Sequence, residues 1–475
     1  MLFNSLHYLL FAPIVITLYF VLPEKLKKTW LLLTSLYFYA IFRIPFIFIL
    51  IIDVVLTYIL TIQLEKNEGI KKKIYLWLAI AVNSGILFGF KYLDFFIRAT
   101  NLFLGLTPCE PDFLKPTGLI LPMGISFFTL QAMAYSVDVY RGIIPASKSL
   151  FDFTLFISFF PQLVAGPIMR AKDLIDQFRE RHIFNREDFE AGLRLIAWGF
   201  FKKSFIADPF GQYVDSVFNA PSQYDWFSIL LSGYLHMIQI YCDFSGYSDI
   251  AIGSGRIMGF RIRANFARPF LSESVTDLWR RWHISLSKWL RDYIYITLGG
   301  NRVSPSRAYF NVLATWMTGG IWHGADWTYV FWGALQAVAI IGERMFFSVG
   351  IFKKAFDAIP GAGKAFYSAT IFSLGMLFFR ARPVEGIQEG IQVSFYMFQR
   401  IFTLQDGIVL IPSYGLILLF TILIAAEMII EKDESYFDKL FSKKGLTYIT
   451  SGIVIVTCAI IYSVTTSQQF IYFQF

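Results

Sequence analysis

The chain has 475 residues, of which 56% are hydrophobic, 19% aromatic and 16% charged, whereas soluble domains carry about 25% charged residues. That composition excludes an ordinary soluble enzyme, a disordered chain and a collagen-like fibre. The net charge of +8 is unevenly placed: residues 256–307 hold ten Arg and Lys against the acids Glu273, Asp277 and Asp292, a surplus of seven that leaves +1 for everything else.

About 266 apolar residues, at roughly 20 per crossing of a 30 Å hydrocarbon core, fill at most about 13 membrane spans. The expected class is an all-α polytopic membrane protein. Cys109, Cys242 and Cys458 lie far apart and cannot all pair, which excludes a disulfide-stapled secreted fold and indicates no redox compartment. A basic segment beside spans is first a signal for retention on the cytoplasmic side, and second a surface for phosphates or anionic lipid.

The opening MLFNSLHYLLFAPIVITLYFVLPEKLKK has no basic residue before its apolar run and no small-residue cleavage site after it, so it reads as an uncleaved first span. Lys25, Lys27 and Lys28 then place the amino terminus outside. Residues 30–64 precede another Lys-rich loop, EKNEGIKKK, and must cross twice or not at all. The Arg43-Ile44-Pro45 break allows two passes, but the first arm has only about 13 residues against the roughly 17 a span requires, leaving a re-entrant hairpin open. Further apolar stretches lie at 74–92, 118–137, 150–168, 189–206, 226–246, 309–322, 328–347, 366–379, 407–429 and 447–464. The expectation is about eleven spans, with re-entrant and amphipathic helices, around a central passage. Pro122-Met123-Gly124, Pro161 to Pro167 and Gly319-Gly320 interrupt several of them, which a membrane tolerates only where the freed backbone faces protein or a water-filled cavity. With no repeat, low-complexity tract or long linker, residues 1–475 read as one domain.

Four stretches bear polar chemistry. In DLWRRWHISLSKWLRDYIYITLGGNR, 277–302, a helical period puts Leu278, Trp282, Leu286, Trp289 and Tyr293 on one face and spreads Arg280, Arg281, Lys288 and Arg291 over the rest, predicting an amphipathic helix. His283 sits at the edge of that stripe, either reaching an interior cavity or satisfied at the interface by backbone. In NVLATWMTGGIWHGADWTYVFWGALQ, 311–336, His323 follows Trp322 in apolar surroundings, where an ionisable group needs a partner or aqueous access and is functional by default. Its bland alternative is an interhelical hydrogen bond beside packing glycines. Gln131, Asp138 and Gln162 interrupt the apolar segments 121–142 and 159–170; interhelical bonding is the leading reading, substrate contact the lesser. In QIYCDFSGYSDIAIGSGR, 239–256, Asp243 and Asp249 either line a polar passage or pair with the arginines that follow, pairing being the safer reading.

Absences narrow the field. The chain has no GxxxxGK[ST] loop, no HExxH helix and no GxSxG elbow, and no metal site is expected. His182 and Glu187 form H-x4-E, one residue type away from an H-x4-D acyltransferase box; in RAKDLIDQFRERHIFNRE the expectation is a solvated loop histidine.

Taken in order, WRRWHISLSKWLRDYIYITLGGNR and TGGIWHGADWTYVFWGALQ, with upstream LPMGISFFTLQAMAYSVDVYRG and FFPQLVAGPI, resemble the membrane-bound O-acyltransferase family. The likeness runs over essentially the whole chain and is greatest to the bacterial branch that includes the alginate O-acetylation proteins. The resemblance implies that His323 is the family's invariant histidine, and that His283 occupies a second motif position held by Asn in many eukaryotic members. It also implies a conical passage with the histidine deep in the membrane. No bound cofactor is implied; acetyl-CoA or another acyl thioester serves as donor from the cytoplasmic side. Acyl groups pass outward to an exopolysaccharide, commonly through an SGNH-type partner and its polysaccharide synthesis machinery. Membrane lipids are expected partners and nucleic acid is not, in the multi-pass setting of a bacterial cytoplasmic membrane.

The chemistry suits that implication. Acyl transfer from a thioester to a hydroxyl needs a base near the working pH, and burial keeps an imidazole neutral. His323 is expected to take the hydroxyl proton, while His283 or a nearby tryptophan N–H supports the oxyanion or orients the reactants. Arg280, Arg281, Lys288 and Arg291 would hold donor phosphates, with Trp282, Trp322, Asp243 and Gln131 as further binding candidates. D-alanyl, lipid or protein acyl transfer, a polar-solute transporter or flippase, and a structural scaffold are the rival readings. A transporter would carry a pseudo-repeat with paired broken helices, whereas here the polar signal gathers in 239–327.

Overall fold

The computed structural model describes residues 1–105, 113–164, 166–441, 445–464 and 470. Cys109, Ala165 and the terminal FIYFQF apart from Phe470 lie outside the described residues. Among the described residues the chain is helical, with isolated bridges but no strand. Five helices among the described residues are long and apolar enough to cross a membrane: Pro45–Lys66, Gly69–Leu104, Trp327–Ser348, Gly361–Arg380 and Tyr414–Lys432. Other apolar stretches fold as shorter or more polar pieces; 150–168, for example, breaks into Leu150–Ser158 and Phe160–Leu163 at an extended Phe159. The chain is a multi-pass membrane protein, and length and composition alone do not raise the span count to eleven.

The arm before Arg43 is longer than the apolar run suggests. Helix Glu24–Ala40 has 17 residues because the lysines at 25, 27 and 28 lie inside its first turns rather than in a loop. It is followed, after the Arg43-Ile44-Pro45 break, by the 22-residue helix Pro45–Lys66, whose Pro stands in the first turn where no donor is lost.

Contacts divide the chain into two compact units, residues 1–189 with 254–263, and residues 190–253 with 264–475. The first is sewn together by hydrogen bonds between helices. Asn83 donates to Thr57 Oγ1 at 2.9 Å, and the hydroxyls of Thr61 and Ser136 meet at 2.8 Å, joining Pro45–Lys66 to Gly69–Leu87 and to Ile125–Tyr140. Gln162 donates to the Phe156 carbonyl across the helix break. His182 corrects its expectation: it does sit in a loop, but buried, at 9% exposure, with Nε2 2.8 Å from the Gln177 carbonyl and its ring 4.4 Å from that of Phe260. Neighbouring charges do not keep a loop side chain in solvent when an aromatic wall is at hand.

In the second unit two buried cations, Lys202 and Lys203, sit on a π-helical stretch, Phe201–Ala207. Lys202 pairs with Asp249 at 2.7 Å; Lys203 pairs with Asp208 at 2.7 Å and with Asp243. The expectation of pairing for Asp243 and Asp249 holds, but the partners are these lysines and not the arginines that follow. With Asp243 and Lys203 each 2% exposed, a buried charge finds its partner from a packed neighbour rather than from the next residues in sequence.

Helices Pro305–His323 and Trp327–Ser348 form a tight hairpin. Gly324 is extended and ends the first; Asp326 caps the second, its Oδ1 accepting from Thr328 N at 2.9 Å. A methyl group on Gly320 would stand 2.3 Å from the Tyr329 carbonyl oxygen and 3.2 Å from Gly333 Cα. Backbone atoms cannot yield there, so Gly320→Ala is expected to lower the thermal unfolding midpoint in detergent. Gly342→Ala, on the second helix with nothing within 4 Å of the added atom, should be neutral or stabilising by up to about 1 kcal/mol. Equal midpoints for the two variants would refute the close approach.

Candidate active site

The hairpin fixes His323 at the last residue of its helix, 5% exposed. Its ring is caged by aromatics: Trp322 at 5.0 Å, Trp332 at 5.0 Å and nearly perpendicular, and Phe379 at 5.1 Å. The Trp332 indole N–H is buried and has no hydrogen-bond partner among the described residues. A donor left unsatisfied away from water costs about 1–3 kcal/mol, which singles this N–H out as a candidate ligand contact.

His283 stands at the break between two short helices, Val275–Arg281 and Ile284–Leu290. This corrects the expectation of one amphipathic helix through 277–302. Four of the five stripe residues, Leu278, Trp282, Leu286 and Tyr293, are buried and Trp289 is half-buried, but at His283 the backbone is left-handed, φ 41° and ψ 53°. Tertiary bonds impose the break. Ala267 N donates to the Arg281 carbonyl at 2.9 Å and Ile284 N to the Asn265 carbonyl at 2.8 Å. Asn265 Oδ1 then accepts from Ser285 N at 3.1 Å and Ser285 Oγ at 2.9 Å, and lies 3.3 Å from His283 Nδ1. The imidazole also meets the Phe244 ring edge-on at 4.6 Å. Neither short helix is long enough to cross a bilayer, and burial lowers the pKa of His283 to about 3, which favours the neutral ring.

Trp322 links the two histidines, its ring 6.0 Å from that of His283 and 5.0 Å from that of His323. Toward the start of the same helix opens a cavity of about 420 Å³, walled by Trp279 and Trp316 and by the cations Arg280, Lys288, Arg291 and Arg344. None of the described residues lining it is acidic. Arg280 and Lys288 make no ion pair among the described residues, whereas Arg291 pairs with Asp292 at 2.7 Å. Trp316 lies seven residues before His323, about 10 Å along a helix axis, and Trp279, Trp316 and Trp332 form a contiguous aromatic wall in between.

The predicted residues therefore separate. His323, His283 and Trp322 come together, and Arg280, Lys288 and Arg291 share the cavity. Arg281 does not join them: it pairs with Asp277 and Glu431, both at 3.0 Å. Trp282 backs the site, packed on Phe372 at 4.7 Å and Phe266 at 5.4 Å. Asp243 is consumed by Lys203. Gln131, 2% exposed and without a partner for either amide atom among the described residues, belongs to the first unit, and both histidines belong to the second. Three residues escaped the sequence reading: Asn265, Arg344 and Trp332. Only Trp332 carried a local signal, as a tryptophan near His323.

The site thus consists of a buried imidazole pair beside an aromatic cage, with a cationic cavity toward the start of the same helix. The sequence profile of the membrane-bound O-acyltransferase family matches residues 143–379, and the chain belongs to that family and is an O-acyltransferase. It is 38% identical over 411 residues to a probable alginate O-acetylase of Pseudomonas aeruginosa, covering 85% of this chain and 75% of the relative. A peptidoglycan O-acetyltransferase of Helicobacter pylori is 32% identical, covering 81% and 78%. A teichoic acid D-alanyltransferase of Bacillus subtilis is 30% identical, covering 49% of this chain and 61% of the relative.

The left-handed backbone at His283 makes a stability prediction. Asn tolerates that region and a β-branched residue does not. His283→Val is expected to be less stable than His283→Asn by about 1–2 kcal/mol, read as thermal midpoints of the two purified variants; equal midpoints would contradict the conformation.

Proposed function

We propose that this chain takes an acetyl group from acetyl-CoA at the cytoplasmic face and passes it to a hydroxyl of an extracytoplasmic acceptor, serving exopolysaccharide O-acetylation with an SGNH-type partner. The observation that carries the reading is the placement of His323 against the Trp332 ring, whose indole N–H has no partner among the described residues, with a cationic cavity about 10 Å along its helix. The names of the alginate and peptidoglycan relatives, both acetylating polymers, support the acetyl group and the polymer.

The reaction runs as follows. His323 accepts the proton of the acceptor hydroxyl as its oxygen attacks the thioester carbonyl. The Trp332 N–H faces the oxyanion. On collapse the C–S bond breaks, and the thiolate leaves with the proton that His323 had taken, giving ester and free thiol. Such general-base work contributes about 10² to 10⁴ in rate. Arg280 and Lys288, with Arg291 and Arg344, hold the donor's phosphates, and the basic segment 256–307 lies on the cytoplasmic side with the amino terminus outside. Because a phosphopantetheine arm carries the same phosphate chemistry, the D-alanyltransferase relative keeps a carrier-protein donor as the second reading.

The test uses full-length protein in liposomes with radiolabelled acetyl-CoA. His323→Ala is expected to lower turnover by about 10²-fold or more. Arg280→Gln with Lys288→Gln should raise the KM for donor several-fold with little change in kcat. Undiminished turnover in His323→Ala would overturn the reading, and no turnover by wild type until a charged carrier protein is added would favour the second donor.

A further inference from the structure

The bracket around His283 determines which of its nitrogens holds the proton. Asn265 is 1% exposed, and the identity of its Oδ1 is fixed by chemistry. A backbone N–H can only donate, and that of Ser285 points at this atom from 3.1 Å with the Ser285 hydroxyl at 2.9 Å. Turning the amide over would set its NH₂ against that N–H, so the atom is oxygen. An amide oxygen only accepts, and the third group around it is His283 Nδ1 at 3.3 Å. A hydrogen bond there requires the proton on Nδ1, and a neutral imidazole has just one.

We propose that Asn265 is a positioning residue that holds His283 as its Nδ1–H tautomer, so that Nε2 serves substrate as a hydrogen-bond acceptor. The proposal rests on the acyl-transfer reading above and deepens it by dividing the labour between the histidines. A ring whose Nε2 carries a lone pair cannot donate to an oxyanion from that atom. Of the two roles open to His283, supporting the oxyanion or orienting the reactants, this tautomer selects orientation, through an O–H or N–H of substrate. Oxyanion support falls to an N–H donor, and Trp332 Nε1, unpartnered among the described residues, belongs to a ring packed 5.0 Å from that of His323. The left-handed backbone at 283 and the Phe244 ring at 86° to the imidazole complete the fixation, leaving the ring no cheap rotation.

The protein has five histidines, few enough for ring-¹⁵N labelling of the full chain in lipid nanodiscs, with His283→Asn assigning the signal. The expected wild-type spectrum has Nδ1 protonated and Nε2 bare. Asn265→Leu removes the acceptor and is expected to move part of the population to the Nε2–H tautomer and lower kcat at least tenfold, with the KM for acetyl-CoA within twofold. Asn265→Asp, which keeps an acceptor oxygen, should retain the Nδ1 proton, and it stands in should Asn265→Leu fail to accumulate. A wild-type Nε2–H tautomer, or a spectrum unchanged in Asn265→Leu, would overturn the proposal. Undiminished turnover in His323→Ala would sink the acyl-transfer reading and leave the tautomer result untouched, so the two failures are distinguishable.

Discussion

The site hangs on one backbone contact, Gly320 against the Tyr329 carbonyl and Gly333. In lipid no hydrophobic force draws helices together, since the tails are as apolar as leucine; close packing of small residues does that work. Here it closes the hairpin that brings Trp332 to 5.0 Å from the His323 ring, while Phe379, on helix Gly361–Arg380, reaches the same ring at 5.1 Å. Wider spacing would leave the imidazole among loosely packed rings, free to turn, and the indole N–H without a fixed direction. Gly324 extends the same constraint, for the Tyr329 ring lies where its side chain would be, a built Cβ standing 1.9 Å from Tyr329 Cε2.

A second level of order concerns which charges are spent. Arg280 and Arg281 are neighbours in sequence and fall about 100° apart on a helix, and that angle decides their fates. Arg281 turns to Asp277 and Glu431, while Arg268 also reaches Glu431, so the two arginines pin the segment carrying Asn265 and His283 to the end of helix Tyr414–Lys432. Arg280 turns to the cavity. In the interior, Lys202 and Lys203 serve Asp249, Asp208 and Asp243. The basic surplus of 256–307 thus divides into fastenings and a remainder open to an anionic ligand, and that remainder is what a phosphate-bearing donor would meet.

Much of this was legible in the sequence, because the signals were local. Composition gave the membrane class, the Gly-Gly-Ile-Trp-His-Gly run gave a histidine among packing glycines, and the apolar stripe from Leu278 to Tyr293 is the face that is buried. What escaped reading was tertiary. Nothing within 277–302 announces a break at His283, since the bonds that impose it come from residues 265 and 267, well before it. Asn265 has no motif around it, and Arg344 joins the cavity from another helix. His182 failed in the opposite sense: the charges beside it were read as a solvated face, yet the ring packs on Phe260.

Position 283 carries two demands at once, and together they restrict the residue. The left-handed backbone favours Gly, Asn, Asp and His and penalises the rest by about 1–2 kcal/mol. The facing Asn265 oxygen asks for a side chain with a donor nitrogen, which removes Gly and ionised Asp. Asn and His remain, the two residues that the family resemblance places at this motif position. On this argument the alternation is not a swap of catalytic bases, since an amide has no basic nitrogen. Its shared property is an N–H that anchors to the bracket while the far atom, Nε2 of His or Oδ1 of Asn, offers a lone pair. Under the proposed acyl-transfer reading, orientation by acceptance survives the exchange and proton abstraction stays with His323.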